Sequence, residues 1–348
     1  MHPEETPASL GYRWPAEWEP HAATWLSWPH NENTWPGQYG PIPARFTEFV
    51  RTLAEFEPVH LLAGGANVRP VAQQWVGNLA GVTCWDIETN DAWCRDHGPI
   101  FLNGPAGLPA AVVDWEYNAW GGKYPPFDKD DRVPAQVAAR LGRRRFQPGI
   151  VLEGGAIEGN GRGTLLTTES CLLNPNRNPG LSRGQMEQYL RDYLGVQHIL
   201  WLARGELAGD DTDGHIDQLA RFVNPTTVVA VTECDESDDN YEPLRDNRRQ
   251  LQSMQDQDGR PLEVVPLPLP RPKYVGSQRL PASYANFYIA NGLVVVPQYD
   301  DPADDTAIDI LQRLFPERQV RGLPALDIVW GLGTFHCLSQ QEPRESKA

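Results

Sequence analysis

Short apolar runs that stop at glycine alternate along this chain with helices whose apolar residues recur at spacings of three and four. That alternation restricts the chain to an α/β fold. Phe46, Phe49, Leu53 and Phe56 carry the helical spacing over residues 43–56, and a strand over 59–63 then ends at Gly64-Gly65. Residues 111–115 and 150–153 read as strands around a helix at 134–144, the second strand stopped by Gly154-Gly155. Strands at 164–168 and 196–202 flank a helix that opens on Ser182 as N-cap and runs to Leu194. Residues 215–223 and 226–232 are expected as paired strands joined at Asn224-Pro225. A helix at 241–257 and a strand at 262–266 follow. A hairpin crosses Asn291-Gly292 between 284–290 and 293–297, and the last helix covers 304–315.

The repeating unit is strand–strand–helix–strand, with no break in composition, so residues 1–348 are expected to form one domain. Residues 1–40, rich in tryptophan and proline, read as an irregular lead-in, and 338–348 as a C-terminal tail. The proline-rich stretch 266–281 is closely flanked by strands and reads as a loop over a site.

A net charge of −16 argues against nucleic acid and anionic membranes as partners and suits cationic ligands. No apolar run approaches the roughly 20 residues of a spanning helix, and no secretory signal is visible, so a cytoplasmic protein is expected. The cysteines at 84, 94, 171, 234 and 337 are odd in number and form no CxxC pair, which suggests neither a disulfide framework nor a zinc ribbon.

Four polar clusters stand at expected strand ends: Trp93 to His97, Glu153-Gly154-Gly155, Asp210 to Asp217, and Gly331 to Cys337. His215 and Asp217, two apart on an expected strand, would share one face and suit acid–base work or cation binding. Asp210, Asp211 and Asp213 with His215 could also hold a divalent ion, although their spacing fits neither an EF-hand nor an HExxH helix. Cys337 and Cys94 are rival nucleophiles, Cys94 having Asp96 and His97 beside it.

In order along the chain come Pro15-Ala16-Glu17-Trp18-Glu19-Pro20-His21, Thr24-Trp25-Leu26-Ser27-Trp28-Pro29 and Asn90-Asp91-Ala92-Trp93-Cys94-Arg95-Asp96. Next are Asn118-Ala119-Trp120-Gly121-Gly122-Lys123-Tyr124, Glu153-Gly154-Gly155, Gly214-His215-Ile216-Asp217, Ala282-Ser283-Tyr284-Ala285-Asn286-Phe287-Tyr288, and His336-Cys337 with Gln340-Gln341. In this order the chain resembles the agmatine deiminase family, which includes the Porphyromonas-type peptidylarginine deiminases, within the guanidine-modifying (pentein) superfamily. The resemblance implies a five-bladed α/β propeller and no cofactor. It implies a small cationic guanidine as substrate, agmatine first, with peptidyl-arginine or another guanidine as alternatives. A non-catalytic guanidinium- or polyamine-binding protein could dispense with Cys337. The assembly it admits is a homodimer, which the sequence itself does not specify.

The resemblance also distributes roles. Asp96 and Asp217 would hold the guanidinium N–H groups, Trp93 would stack on its plane, and Cys337 would attack its carbon. His215 would donate and then accept the proton, oriented by Glu153, while His336 would be incidental. Asp211 would meet the distal ammonium. A thiol among carboxylates should be activated by the bound cation rather than primed beforehand. The chain departs from common family wording at Leu332-Gly333-Thr334-Phe335, where a GGN run is frequent, and at His97, where a small hydroxyl residue is frequent.

Overall fold

The computed structural model describes residues 5–105 and 107–345. Its strands in chain order are β1 (His21–Ser27), β2 (Val59–Leu62), β3 (Val82–Trp85), β4 (Ile100–Leu102), β5 (Ala111–Val113) and β6 (Arg144–Phe146). They continue with β7 (Ile157–Gly159), β8 (Thr164–Thr168), β9 (His198–Leu202), β10 (Ala220–Phe222), β11 (Thr227–Thr232) and β12 (Glu263–Pro268). The last are β13 (Tyr274–Val275), β14 (Gln278–Arg279), β15 (Tyr288–Ala290), β16 (Leu293–Gln298), β17 (Gln319–Pro324) and β18 (Ser339–Pro343).

The expected unit recurs in the pairing. β4–β5, β7–β8, β10–β11 and β15–β16 are antiparallel, and β5–β6, β8–β9, β11–β12 and β16–β17 are parallel. Each parallel pair needs a crossover, which the helices Val133–Leu141, Arg183–Leu194, Tyr241–Gln252 and Ala303–Leu314 supply. Ser182 caps the second of these in a full capping box with Gln185, worth about 1 kcal/mol.

A fifth unit joins the two ends of the chain. β18 runs antiparallel to β1, and β1 runs parallel to β2 across the helix Ile42–Ala54, with β3 added at the edge. Residues 339–343 are therefore a strand rather than a tail, and the lead-in contains β1. Residues 1–4 and 346–348 of those expected segments lie outside the described residues. Pairing between residues over three hundred positions apart leaves no periodic trace in either segment.

Three further expectations change. Residues 150–153 are not a strand: Val151 makes one isolated bridge to Glu116, and a 3-10 turn at Gly154–Ala156 precedes β7. Residues 215–219 are not a strand either, because His215 opens a 3-10 turn at Ile216–Gln218 before β10. The first arm of the expected hairpin likewise starts as a 3-10 turn, Tyr284–Asn286, before β15. The helix Val68–Val76 was not expected, because its outer face is exposed and only Ala72 and Val76 are buried.

The middle strands β5, β8, β11 and β16 are buried on both faces, with Leu293, Val294, Val295 and Val296 of β16 fully buried, while the outer strands β3, β6, β12 and β17 are largely half-buried or exposed. No helix among the described residues is long and apolar enough to cross a membrane.

Candidate active site

Each unit begins with a short helical turn directly before its first strand. The turns are Cys94–His97 before β4, Gly154–Ala156 before β7, Ile216–Gln218 before β10, Tyr284–Asn286 before β15 and Phe335–Leu338 before β18. Every turn packs against the next, and the last packs on the first, so the five form a ring. Trp93 and Asp96, Glu153, His215 and Asp217, Asn286, and Cys337 all belong to these turns or immediately precede them. One backbone device thus delivers groups from five distant segments to one place.

Cys337 Sγ receives the Asn286 amide at 3.1 Å and lies 3.5 Å from Asp217 Oδ2. Asn286 is fixed in turn, because its Oδ1 accepts from Thr334 N at 3.0 Å and from Cys337 N at 3.3 Å. Burial, then Asp217 and Asp96, push the Cys337 thiol well above its ordinary value, with the Asn286 bond pulling the other way. The resting thiol is protonated at neutral pH.

The two aspartates differ in how they are held. Asp96 accepts from Gly155 N at 2.9 Å through Oδ1 and from Trp120 Nε1 at 3.0 Å through Oδ2. Burial raises its pKa to about 6, against the pull of His215. Asp217 Oδ2 accepts from His336 Nδ1 at 2.7 Å and from Asn286 Nδ2 at 3.2 Å, while its Oδ1 has no partner. Burial acts to raise Asp217, but His336 and the neighbouring His215 and Arg221 hold it below the usual range.

His215 is buried with neither ring nitrogen bonded. Its Nδ1 stands 3.7 Å from Asp96 Oδ1 and its Nε2 3.9 Å from Glu153 Oε2, which also lacks a partner. Burial opposes its charge, yet Asp96, the Cys171 thiol and Asp217 together raise its pKa well above the ordinary value. A Cβ on Gly155 would fall 2.5 Å from His215 Nδ1, 2.8 Å from Asp96 Oδ1 and 3.1 Å from Asp217 Oδ2. These three side chains therefore converge on a glycine because no other residue leaves them room.

A cavity of about 760 Å³ opens over Asp96 and Cys337, with Trp93 and Trp120 in its wall. Trp93 is packed by two glycines, since a Cβ on Gly331 or Gly333 would meet its ring at 2.9 or 2.7 Å. Between them Leu332 holds a left-handed φ of 73°, a conformation that glycine takes without cost. The β13–β14 hairpin lies over the cavity, with Val275, Gln278 and Leu280 in its lining, as expected of the stretch 266–281.

Several expected residues are placed otherwise. Asp211 lines the cavity, but its carboxylate is already held by Lys123 Nζ at 3.1 Å and by the Tyr124 hydroxyl. Asp210 caps Thr212 and Gly214, and Asp213 pairs with Lys123 and Arg177, so the three aspartates do not gather around His215. Among the described residues the donor atoms that do gather are those of Glu153, Cys171 and His215, all within 4.8 Å of one another. Cys171 and His215 both have raised pKa values, so a metal there would have to displace two protons. Cys94 is fully buried outside the cavity, with its thiol pushed to about 12 by burial. His97, bonded to Ser27 Oγ at 2.8 Å and lowered to about 3 by burial, is a neutral support under the same turn.

His336 is not incidental. Besides Asp217, its Nε2 bonds Glu17 Oε2 at 2.8 Å, and Glu17 also meets Arg221 at 2.9 Å and Arg95 at 3.4 Å. Sequence reasoning missed this buried set, and Asn286 and Trp120 with it. All stand within the quoted motifs except Arg221, but nothing local distinguishes a supporting residue from a packed one.

A family model described as Porphyromonas-type peptidyl-arginine deiminase matches residues 13–343. An agmatine deiminase of Pseudomonas aeruginosa is 41% identical over 371 residues, covering 100% of both chains. An agmatine deiminase of Enterococcus faecalis superposes with a TM-score of 0.92 at 34% identity, over 98% of each chain. A C. jejuni agmatine deiminase with substrate bound gives 0.88 at 31% identity, over 96% of this chain and 97% of that one.

Proposed function

The chain belongs to the Porphyromonas-type peptidyl-arginine deiminase family, and we propose that it hydrolyses agmatine to N-carbamoylputrescine and ammonia. The observation that carries this reading is the convergence on Gly155. An imidazole and two carboxylates, one with a free oxygen, meet there, and the cavity beside them is lined by Asp96 and by the Cys337 nucleophile.

Guanidinium carbon is a poor electrophile because resonance spreads its charge. Asp217 Oδ1 and Asp96 accept its N–H groups and hold the plane against Trp93, fixing the carbon over Cys337. The cation also offsets the aspartates that raise the thiol, so the thiol releases its proton to solvent when substrate arrives. Cys337 Sγ bonds to the carbon, a C–N bond breaks, and the departing nitrogen takes a proton from His215 and leaves as ammonia. Water then attacks the amidino-thioether carbon, one of its protons passes to His215, and the C–S bond breaks to return the thiolate while the remaining hydroxyl proton goes to solvent as the ureido carbonyl forms. Glu153 faces the other ring nitrogen of His215 throughout. No cofactor enters this scheme.

Agmatine is favoured over peptidyl-arginine by the full-length likeness to agmatine deiminases and by the hairpin that covers the cavity. Asp211 is the proposed partner of the distal ammonium, sharing its carboxylate with Lys123. The product would feed putrescine synthesis. Five free cysteines suit a cytoplasmic, reducing compartment, and the net charge of −16 disfavours nucleic acid and anionic membranes. A homodimer is the assembly proposed.

Ammonia release from agmatine, arginine and a blocked arginyl peptide, with wild type and Cys337→Ala, tests the reading. Activity surviving in Cys337→Ala would overturn the mechanism, and preference for the peptide would overturn agmatine.

A further inference from the structure

Arg177 has a side chain with no exposure at all, yet it borders no part of the cavity. Its Nε donates to Glu153 Oε1 at 2.7 Å, its Nη1 to Asp213 Oδ2 and to Asn176 Oδ1 at 2.9 Å, and its Nη2 to the carbonyl of Thr212 at 2.9 Å. Glu153 and the turn 212–214 that leads into His215 are thus held by one guanidinium. Asp213 has a left-handed φ of 66° and Gly214 one of 96°, so this turn is one that needs outside support.

The neighbours of Arg177 repeat the pattern. Asn178 exchanges two bonds with the backbone of Val151, at 2.9 and 2.8 Å, just ahead of Glu153. Asn176 Nδ2 bonds Asp213 Oδ2 at 3.0 Å, just ahead of His215. Three consecutive residues therefore tie the backbone carrying the carboxylate to the backbone carrying the imidazole.

We infer that Arg177 is a positioning residue of the proposed reaction, which sets the distance and angle between Glu153 and His215. The pair itself makes no direct bond: Glu153 Oε2 stands 3.9 Å from His215 Nε2, and both atoms are buried without partners. That separation is set by whatever holds each partner in place, and Arg177 is the buried group that grips both the Glu153 carboxylate and the turn that carries His215. Its fork geometry matters, because Nε engages the carboxylate while Nη1 and Nη2 engage the turn. A lysine would supply the charge but only a single donor point.

This inference rests on the deiminase reading, and the experiment separates the two. Ammonia release from agmatine is measured for wild type, Arg177→Gln, Arg177→Lys and Asp213→Asn, and agmatine affinity by calorimetry in the Cys337→Ala background with and without Arg177→Gln. The expected result is a fall in kcat of about a hundredfold in Arg177→Gln, the scale of a misplacement of about 1 Å. KM and calorimetric affinity should stay within about threefold, since Arg177 touches no substrate. Arg177→Lys should recover part of kcat, and Asp213→Asn, at a partly exposed position, should lower kcat in the same sense by a smaller factor.

Unchanged kcat in both Arg177→Gln and Asp213→Asn overturns the inference. So does a loss expressed in KM and affinity, or a lysine variant no better than glutamine. Should Arg177→Gln not fold, Asp213→Asn decides alone. Wild type inactive on every guanidine tried would instead overturn the proposed function.

Discussion

His336 bonds one oxygen of Asp217 at 2.7 Å and leaves the other oxygen of that carboxylate without a partner. The aspartate is fully buried, so an unbonded oxygen is costly unless something arrives to use it. His336 thereby converts a symmetric group into a directed one: Oδ2 is fixed by His336, Asn286 and the Cys337 thiol, and Oδ1 awaits a donor. Burial and the neighbouring Arg221 and Arg95 lower the His336 pKa, while Glu17 and the Asp217 bond oppose them. Each ring nitrogen of His336 faces a carboxylate oxygen, Nδ1 that of Asp217 and Nε2 that of Glu17.

Replacing His336 by phenylalanine should therefore take one partner away from each of two buried carboxylates, Glu17 and Asp217. We expect a stability loss of about 3 kcal/mol in urea unfolding and a rise in KM for agmatine of about tenfold or more. His336→Gln, which keeps a donor, should fall between. A variant with wild-type KM would contradict the assigned role of Asp217 Oδ1.

Gly155→Ala should abolish activity with little loss of fold. The added methyl would stand 2.5 Å from His215 Nδ1, and the imidazole would have to swing away from Asp96. We expect kcat to fall by about a hundredfold or more, with thermal unfolding displaced by only a few degrees. Activity near wild type would mean that His215 does not work from this position.

The raised Cys337 thiol predicts slow alkylation at neutral pH. In the free protein the iodoacetamide rate at Cys337 should climb only at a pH well above that at which an ordinary thiol ionises, because only the thiolate reacts. A guanidinium analogue too small to react should speed alkylation at pH 7 by lowering the thiol. Rapid alkylation of the free protein at pH 7 would show a thiolate already primed.

Asp96 sets the acid limit. Its carboxylate, raised to about 6 by burial, binds guanidinium only when ionised, so kcat/KM should drop as pH falls through about 6. Trp120→Phe removes the donor to Asp96 Oδ2 at 3.0 Å, which favours the charged form. The acid limb in that variant should therefore move up, by about one pH unit. An unmoved limb would assign it to another group.

The unit of strand, strand, helix and strand was legible because periodicity is local. The spacing of Phe46, Phe49 and Leu53 and the cap at Ser182 describe their elements whatever surrounds them. Among the strands missed, β1 and β18 pair across the whole chain, which imprints nothing on their neighbours, while β4, β7, β13 and β14 pair locally but are only two or three residues long. His215 and Asp217 were expected to share a face of a strand. They are brought together by another route, a 3-10 turn that His215 opens and Asp217 lies in.

The amino-acid order alone sets the units, the succession of motifs and the residue types the chemistry requires. Which groups meet is a property of the folded chain. Folding buried Cys94 away from the cavity and put Cys337 in its floor, bound Asp211 to Lys123, made His336 the anchor of Asp217, and tied Glu153 to the His215 turn through Arg177. The reason is physical: backbone preference and apolar spacing are set by residues a few positions apart. The site is instead assembled from five turns separated along the chain and brought together only by the packing of the ring.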